Sequence, residues 1–250
     1  MRPHLLLCFL LACLAPVAHA LDLEPFHIQY RLYVSKIPTT IKADLTLERT
    51  GQPDEFKMAL AVKSFLVSNL ETSTFTWNDC EPRPQHYTHR FRGFGRKRGY
   101  DMRFDWSDPP KAITEDSTED KEYVLSIKQD TLDDLTLLLK ARCILASGDK
   151  EFHATSAYGD SLRVQHMQVI GRETLDTPIG KLDCLIIEKK RKKESQRHTL
   201  FWVAPSLDYQ LVKAKHIENR ALFGELIMRD YEGPRPEKAA DTGEETAAKE

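Results

Sequence analysis

The stretch Phe26-His27-Ile28-Gln29-Tyr30-Arg31-Leu32-Tyr33-Val34 places an apolar residue at every even position. Side chains alternate across a strand, so this period of two describes a strand with one buried face. The pattern recurs along the chain. Ile41, Ala43, Leu45 and Leu47 carry it at odd positions, and Phe56, Met58, Leu60 and Val62 at even ones. Further strands are expected near 70–77, 85–92, 98–106 and 122–128, then near 161–170, 182–190, 197–204, 209–218 and 222–231. Turn residues separate many of them, as in Thr50-Gly51-Gln52-Pro53, Ser107-Asp108-Pro109-Pro110, Thr177-Pro178-Ile179-Gly180 and Ala204-Pro205-Ser206. About a dozen strands at spacings of about 8–15 residues predict a mainly β protein. Its curved antiparallel sheet forms a barrel or half-barrel.

One segment breaks the rhythm. From about 131 to 146, Leu132, Leu135, Leu139 and Cys143 follow a helical spacing. Asp130, Asp133 and Asp134 stand at the start, Lys140 and Arg142 late, and Gly148 beyond the end. Acidic side chains at a helix start satisfy free N–H groups and the dipole. The spacing predicts one helix packed against the sheet.

The chain has 250 residues, 30% charged and 41% hydrophobic, with a formal net charge of −2. These values exclude a disordered polymer and argue against a nucleic-acid binder, whose domain would be strongly basic. A mean hydropathy of −0.47 excludes a polytopic membrane protein. Arg2 and His4, the apolar run Leu5–Leu14, and Ala18-His19-Ala20 have the three parts of a secretory signal. Cleavage is expected after Ala20, delivering the chain to the periplasm. Leu10-Leu11-Ala12-Cys13 is a weak lipobox behind a very short apolar run, so a soluble exported protein is expected over a lipoprotein anchored at Cys13. The organisation read from this is a signal peptide at 1–20, a single β-rich domain at 21–232, and a disordered C-terminal tail at 233–250, which has no large apolar residue. Cys80, Cys143 and Cys184 remain after cleavage and allow at most one internal disulfide, the pairing left open.

Catalytic signatures are missing: there is no G-x-S-x-G, no H-E-x-x-H, no Walker loop and no strand-borne G-x-G-x-x-G. His86 and His89 would point to opposite faces of a strand, and no Cys/His cluster has zinc spacing, so no metal and no cofactor are expected. His166 reads as a hydrogen-bonded core histidine. Arg90–Arg98 interleaves basic and aromatic residues, and Lys189–Lys193 is a second basic stretch. In an exported protein these suit anionic membrane surfaces rather than nucleic acid. Solvated hairpins whose charges discourage edge-to-edge pairing are the competing account.

Several of these pieces together resemble a known family. They are Tyr30 in the first strand, Leu45 and Leu47 before Gly51, Trp106 closing a strand, and Asp130 ahead of the helix. Gly171-Arg172-Glu173-Thr174-Leu175 with Thr177-Pro178-Ile179-Gly180, and Phe201-Trp202-Val203-Ala204-Pro205 with Tyr209, complete the set. In this order they resemble the bacterial exported proteins grouped as domain-of-unknown-function 3108. The resemblance implies a β-rich periplasmic protein, and it brings no established activity or catalytic residues. The charged segment 114–122 and the Lys-rich stretch 189–193 depart from that pattern.

A curved sheet lined with apolar side chains and covered by a helix suits a hydrophobic ligand. The expected function is a non-catalytic binding or chaperone-like module of the cell envelope for a lipid or lipidated protein. Tyr30, Phe75, Trp106 and Trp202 are the expected contacts, with the helix around Leu135 and Leu139 as cover. One alternative is an envelope-acting enzyme pairing Asp130 or Asp133 with a nearby His. Another is a structural module of an envelope assembly, with a filled barrel.

Overall fold

A computed structural model describes residues 23–234 apart from 66, 94, 191–196 and 220. The signal segment, Cys13, most of the tail and the centre of the second basic stretch lie outside the described residues. The first strands are β1 (Phe26–Val34), β2 (Ile37–Arg49), β3 (Glu55–Lys63), β4 (Val67–Asn78), β5 (Glu81–Gly93), β6 (Arg96–Asp105), β7 (Lys111–Asp116) and β8 (Lys121–Ser126). Helix α1 (Asp134–Ala146) follows. Then come β9 (Glu151–Tyr158), β10 (Ser161–Thr177), β11 (Gly180–Lys189), β12 (His198–Ala204), β13 (Gln210–Ile217) and β14 (Phe223–Glu232).

All belong to one 14-stranded antiparallel sheet in the order β8-β7-β6-β5-β4-β3-β2-β1-β14-β13-β12-β11-β10-β9. Each hairpin neighbour in sequence is a neighbour in space, and β1 against β14 joins the two runs. The ladder stays open between β8 and β9, and the chain crosses that gap through α1. The segment before the helix runs beside β9, with Leu132 N–H donating to Thr155 O at 2.9 Å and Ala157 N–H to Leu132 O at 2.8 Å. Beyond the far end of β9, Thr114 Oγ1 of β7 donates to Gly159 O at 2.8 Å, tying β7 to the β9–β10 turn across the gap. The fold is a curled half-barrel of the expected class.

The alternation read from the sequence sets the inner face. Phe26, Ile28 and Tyr30 are buried with Ala43, Leu45 and Leu47 of β2 and with Phe56 and Met58 of β3. Phe75 of β4 and Tyr87 of β5 continue the same wall. Two strands lie where none was expected. Most of the charged segment 114–122 is the tip of the β7–β8 hairpin, in register from Lys111↔Ser126 to Asp116↔Lys121. β9 pairs along its whole length with β10. Val164 is exposed, and His166 is half-exposed beside Glu151, Nε2 to Oε1 2.6 Å, which corrects the core reading of that histidine.

The helix lies inside the curl. Leu135, Leu137, Leu139, Cys143 and Leu145 are all buried, and α1 touches β3, β4, β5 and β9. Its start is fixed by Asp133, whose Oδ1 accepts from Leu135 N at 2.9 Å and Thr136 N at 2.8 Å. Thr136 Oγ1 in turn accepts from Asp133 N at 3.0 Å, completing a reciprocal capping box. Ser73 of β4 donates to Asp133 Oδ2 at 2.5 Å and ties the cap to the wall. Its far end is held by a disulfide between Cys80, in the β4–β5 turn, and Cys143, with a Cα–Cα distance of 5.8 Å. Asp79 and Cys80 both have positive φ, the geometry a tight two-residue hairpin turn demands. Cys184 is the buried free thiol, and desolvation pushes its pKa up to about 11, so it is inert at neutral pH.

Candidate functional site

A single helix about 10–12 Å across cannot fill a curl of this many strands. Helix α1 packs on the β3–β5 wall and leaves a gap on its other flank, toward β10–β13. The gap is a cavity of about 230 Å³. Leu138, Ala141 and Leu145 line it from the helix, and Met167, Ile187, Phe201, Val203 and Leu211 from the sheet. Its two ends are polar. Asp134, Arg163, Gln165 and Lys189 stand at one, and Arg142 and Gln210 at the other.

These polar ends have distinct electrostatics. Burial raises the pKa of Asp134, opposed by the Ser156 hydroxyl, which donates to Oδ1 at 2.9 Å, and by the charges of Arg163 and Lys189. Burial lowers the pKa of Arg142 to about 10, far enough above neutrality to leave it charged. Its Nε donates to Asp208 O at 2.8 Å, and its guanidinium lies 5.6 Å from the Phe26 ring centroid. Nη1 is buried without a hydrogen-bond partner among the described residues. Arg142 therefore fastens the helix to the turn before β13 and lines the end of the cavity there.

Of the residues expected to contact a ligand, Leu139 lines the cavity. Tyr30 is fully buried in the wall, its hydroxyl donating to Leu211 O at 2.8 Å. Phe75 stacks on Phe56 at 6.0 Å, and Leu135 packs in the same core cluster. Trp106 is half-buried at the end of β6, stacked on Phe104 and donating from Nε1 to Pro84 O at 2.7 Å. Trp202 sits between the cavity-lining Phe201 and Val203 but does not line the cavity. Its Nε1 donates to Glu173 Oε2 at 2.6 Å, with Lys213 over the ring. A register shift between Trp202 and Val203 accompanies this placement.

A buried polar cluster on β4 and β5 escaped the sequence reading. Tyr87 donates to Glu71 Oε2 at 2.7 Å, Asn69 Nδ2 donates to Glu71 Oε1 at 2.8 Å, and His89 Nε2 lies 2.9 Å from Asn69 Oδ1. Desolvation lowers the His89 pKa and raises that of Tyr87, so both stay neutral near pH 7. Alternation put His86 and His89 on opposite faces, but nothing local disclosed Glu71 as a neighbour of His89 4.0 Å away. His86 sits on the other face against Asp101. Asp133 is fully buried with both oxygens engaged by the cap and Ser73, Asp130 is exposed, and no histidine bonds either among the described residues. Lys189 ends β11 at the cavity, Lys190 pairs with Glu188 at 2.6 Å, and 191–193 lie outside the described residues.

Comparison with known proteins shows a shared fold and a family. A crystal structure of a beta-barrel-like protein of domain of unknown function DUF1849 from Brucella abortus superposes with a TM-score of 0.55 at 9% identity, covering 84% of this chain and 98% of that one. A candidate lipoprotein from Parabacteroides distasonis gives a TM-score of 0.31 at 11% identity, covering 84% of this chain and 96% of that one. Of the two, the Brucella likeness bears on the fold. No curated protein matches the chain. The family described as "Protein of unknown function (DUF3108)" matches residues 29–221, most of the β domain, and the chain belongs to that family.

Proposed function

We propose that this protein is a non-catalytic binding module of the bacterial cell envelope that holds one acyl chain of a lipid or lipidated partner beside α1. The observation that carries this reading is the apolar cavity between the helix and β10–β13. At about 30 Å³ per water-sized group, its 230 Å³ has room for about eight such groups. That volume suits about eight carbons of a single chain, with the carboxylate end of a longer one such as dodecanoate left in the open mouth, and is too small for a two-chain lipid. The Cys80–Cys143 bridge supports an oxidising compartment, in keeping with the leader-like first twenty residues. No helix among the described residues is long and apolar enough to cross a membrane.

Protein purified from the periplasm and sprayed under native conditions is expected to carry an acyl species. Stripped of it, the protein is expected to bind dodecanoate saturably. Ala141→Phe puts a ring into the cavity and is expected to weaken that binding at least tenfold, at about one methylene-bearing contact per kilocalorie lost, with little change in melting temperature. A protein that carries nothing and ignores dodecanoate overturns the reading.

A further inference from the structure

The β5–β6 hairpin sets Arg92 directly opposite Lys97, and Arg96 opposite Gly93 at the turn. Like charges facing each other across strands repel. No carboxylate pairs with Arg92, Arg96 or Lys97 among the described residues, and all three are exposed. Val67 pairs with Gly93, so the β3–β4 turn lies beside this tip. Phe65 in that turn is 101% exposed. The turn that presents it is not slack: Ser64 N–H donates to Val67 O at 2.8 Å, and Val67 N–H to Ser64 Oγ at 3.0 Å. Against the hairpin lies an open depression of about 570 Å³ lined by Ser68, Arg92, Lys97, Arg98 and Thr118, among others.

A fully exposed aromatic ring is unfavourable in water, and Arg92 facing Lys97 adds like-charge repulsion. Both costs are relieved by a surface that is anionic outside and apolar just beneath, which describes a bilayer of anionic phospholipid. We propose that this tip docks on an anionic glycerophospholipid bilayer, with Phe65 entering the headgroup layer and the depression receiving headgroup phosphates. β5 and β11 run in the same direction, so the Lys189 end of the cavity shares this end of the sheet. Docking does not depend on what the cavity holds.

The test is flotation of the mature chain with phosphatidylcholine vesicles, with and without phosphatidylglycerol. Binding is expected with phosphatidylglycerol alone and should be lost at high salt. Arg92→Glu with Lys97→Glu is expected to weaken it at least tenfold, and Phe65→Ser about tenfold, with melting temperatures unchanged because all three side chains are solvent-facing. Ala141→Phe should float like the parent, which separates this proposal from the cavity reading. Equal binding to both vesicles, no binding at low salt, or full binding by the variants overturns it. Displacement by inorganic phosphate at matched ionic strength also overturns it, by making the depression a free-phosphate site.

Discussion

Removing the Cys80–Cys143 bridge, by Cys80→Ser with Cys143→Ser, is expected to destabilise the protein by about 4 kcal/mol. The bridge closes a loop across a sequence separation of 63, and the chain-entropy relation for that length gives this figure. For a domain of this size each kcal/mol moves the melting temperature by about 2–4 °C, so a fall of about 8–16 °C should be seen. Thermal melts with and without dithiothreitol check it: reductant should lower the parent to the level of the double variant and leave the variant unmoved. The bridge also holds the far end of α1 to the β4–β5 turn, with Lys140 Nζ donating to Cys80 O at 3.2 Å nearby. Dodecanoate binding should therefore weaken in the variant, because the cavity has the helix as one wall. A change below about 1 kcal/mol would show that the helix is held by its packing and cap alone.

The second large effect concerns the cap. Complete burial raises Asp133 from 3.8 to about 6, against the lowering influence of Ser73 and the backbone N–H groups of Thr136 and Leu135. The unfolded chain ionises this group first, so its contribution to stability is fully present below about pH 4 and is lost as pH rises through about 6. A shift of that size corresponds to about 3 kcal/mol. Asp133→Asn keeps the oxygen that accepts from Leu135 and Thr136 but has no charge to bury. Urea unfolding at pH 4 and pH 7.5 should show the Asn variant gaining on the parent by about 2.4 kcal/mol between the two. Asp133→Ala removes the acceptor, strands the Ser73 hydroxyl, and is expected to cost about 2 kcal/mol or more at pH 4, with a smaller cost at pH 7.5 because Ala too buries no charge. A parent-to-Asn difference that does not move with pH would mean that the cap's hydrogen bonds outweigh the burial.

Much of this arrangement was legible in the chain, for reasons that differ by element. Where the inner face is made of large apolar residues, as at Phe26, Ile28, Tyr30, Leu45 and Leu47, alternation announced the strand. The inner positions of β7 are Ala112 and Thr114, and β9 buries Ser156 and Ala157. These small and polar residues sit where the two sheet edges and the segment before α1 approach closely, so the hydrophobic period that signals a strand fades there. The acidic start of the helix was readable because a cap is a contact among residues three apart. Ser73, which completes it, lies 60 positions away and left no local sign.

The candidate site divides the same way. Leu139 lines the cavity on the face that helical spacing assigned to the interior. Trp202 and Val203 are neighbours in sequence, yet Val203 lines the cavity and Trp202 bonds Glu173. Alternation along β12 puts them on opposite faces, but which of those faces meets the cavity depends on how the whole sheet curls.

Local side-chain chemistry thus settled what most segments are, β7 and β9 excepted: a strand, a turn, or one helix begun by an acidic cap. That information is short-ranged, because alternation and capping involve residues within a few positions of each other. Only the tertiary structure decided which cysteines meet, which flank of the helix stays uncovered, and that the turn carrying Phe65 lies beside the hairpin tip of Arg92 and Lys97. Those outcomes depend on the curvature of the whole sheet, and curvature sums small twists over every strand before it brings distant residues together.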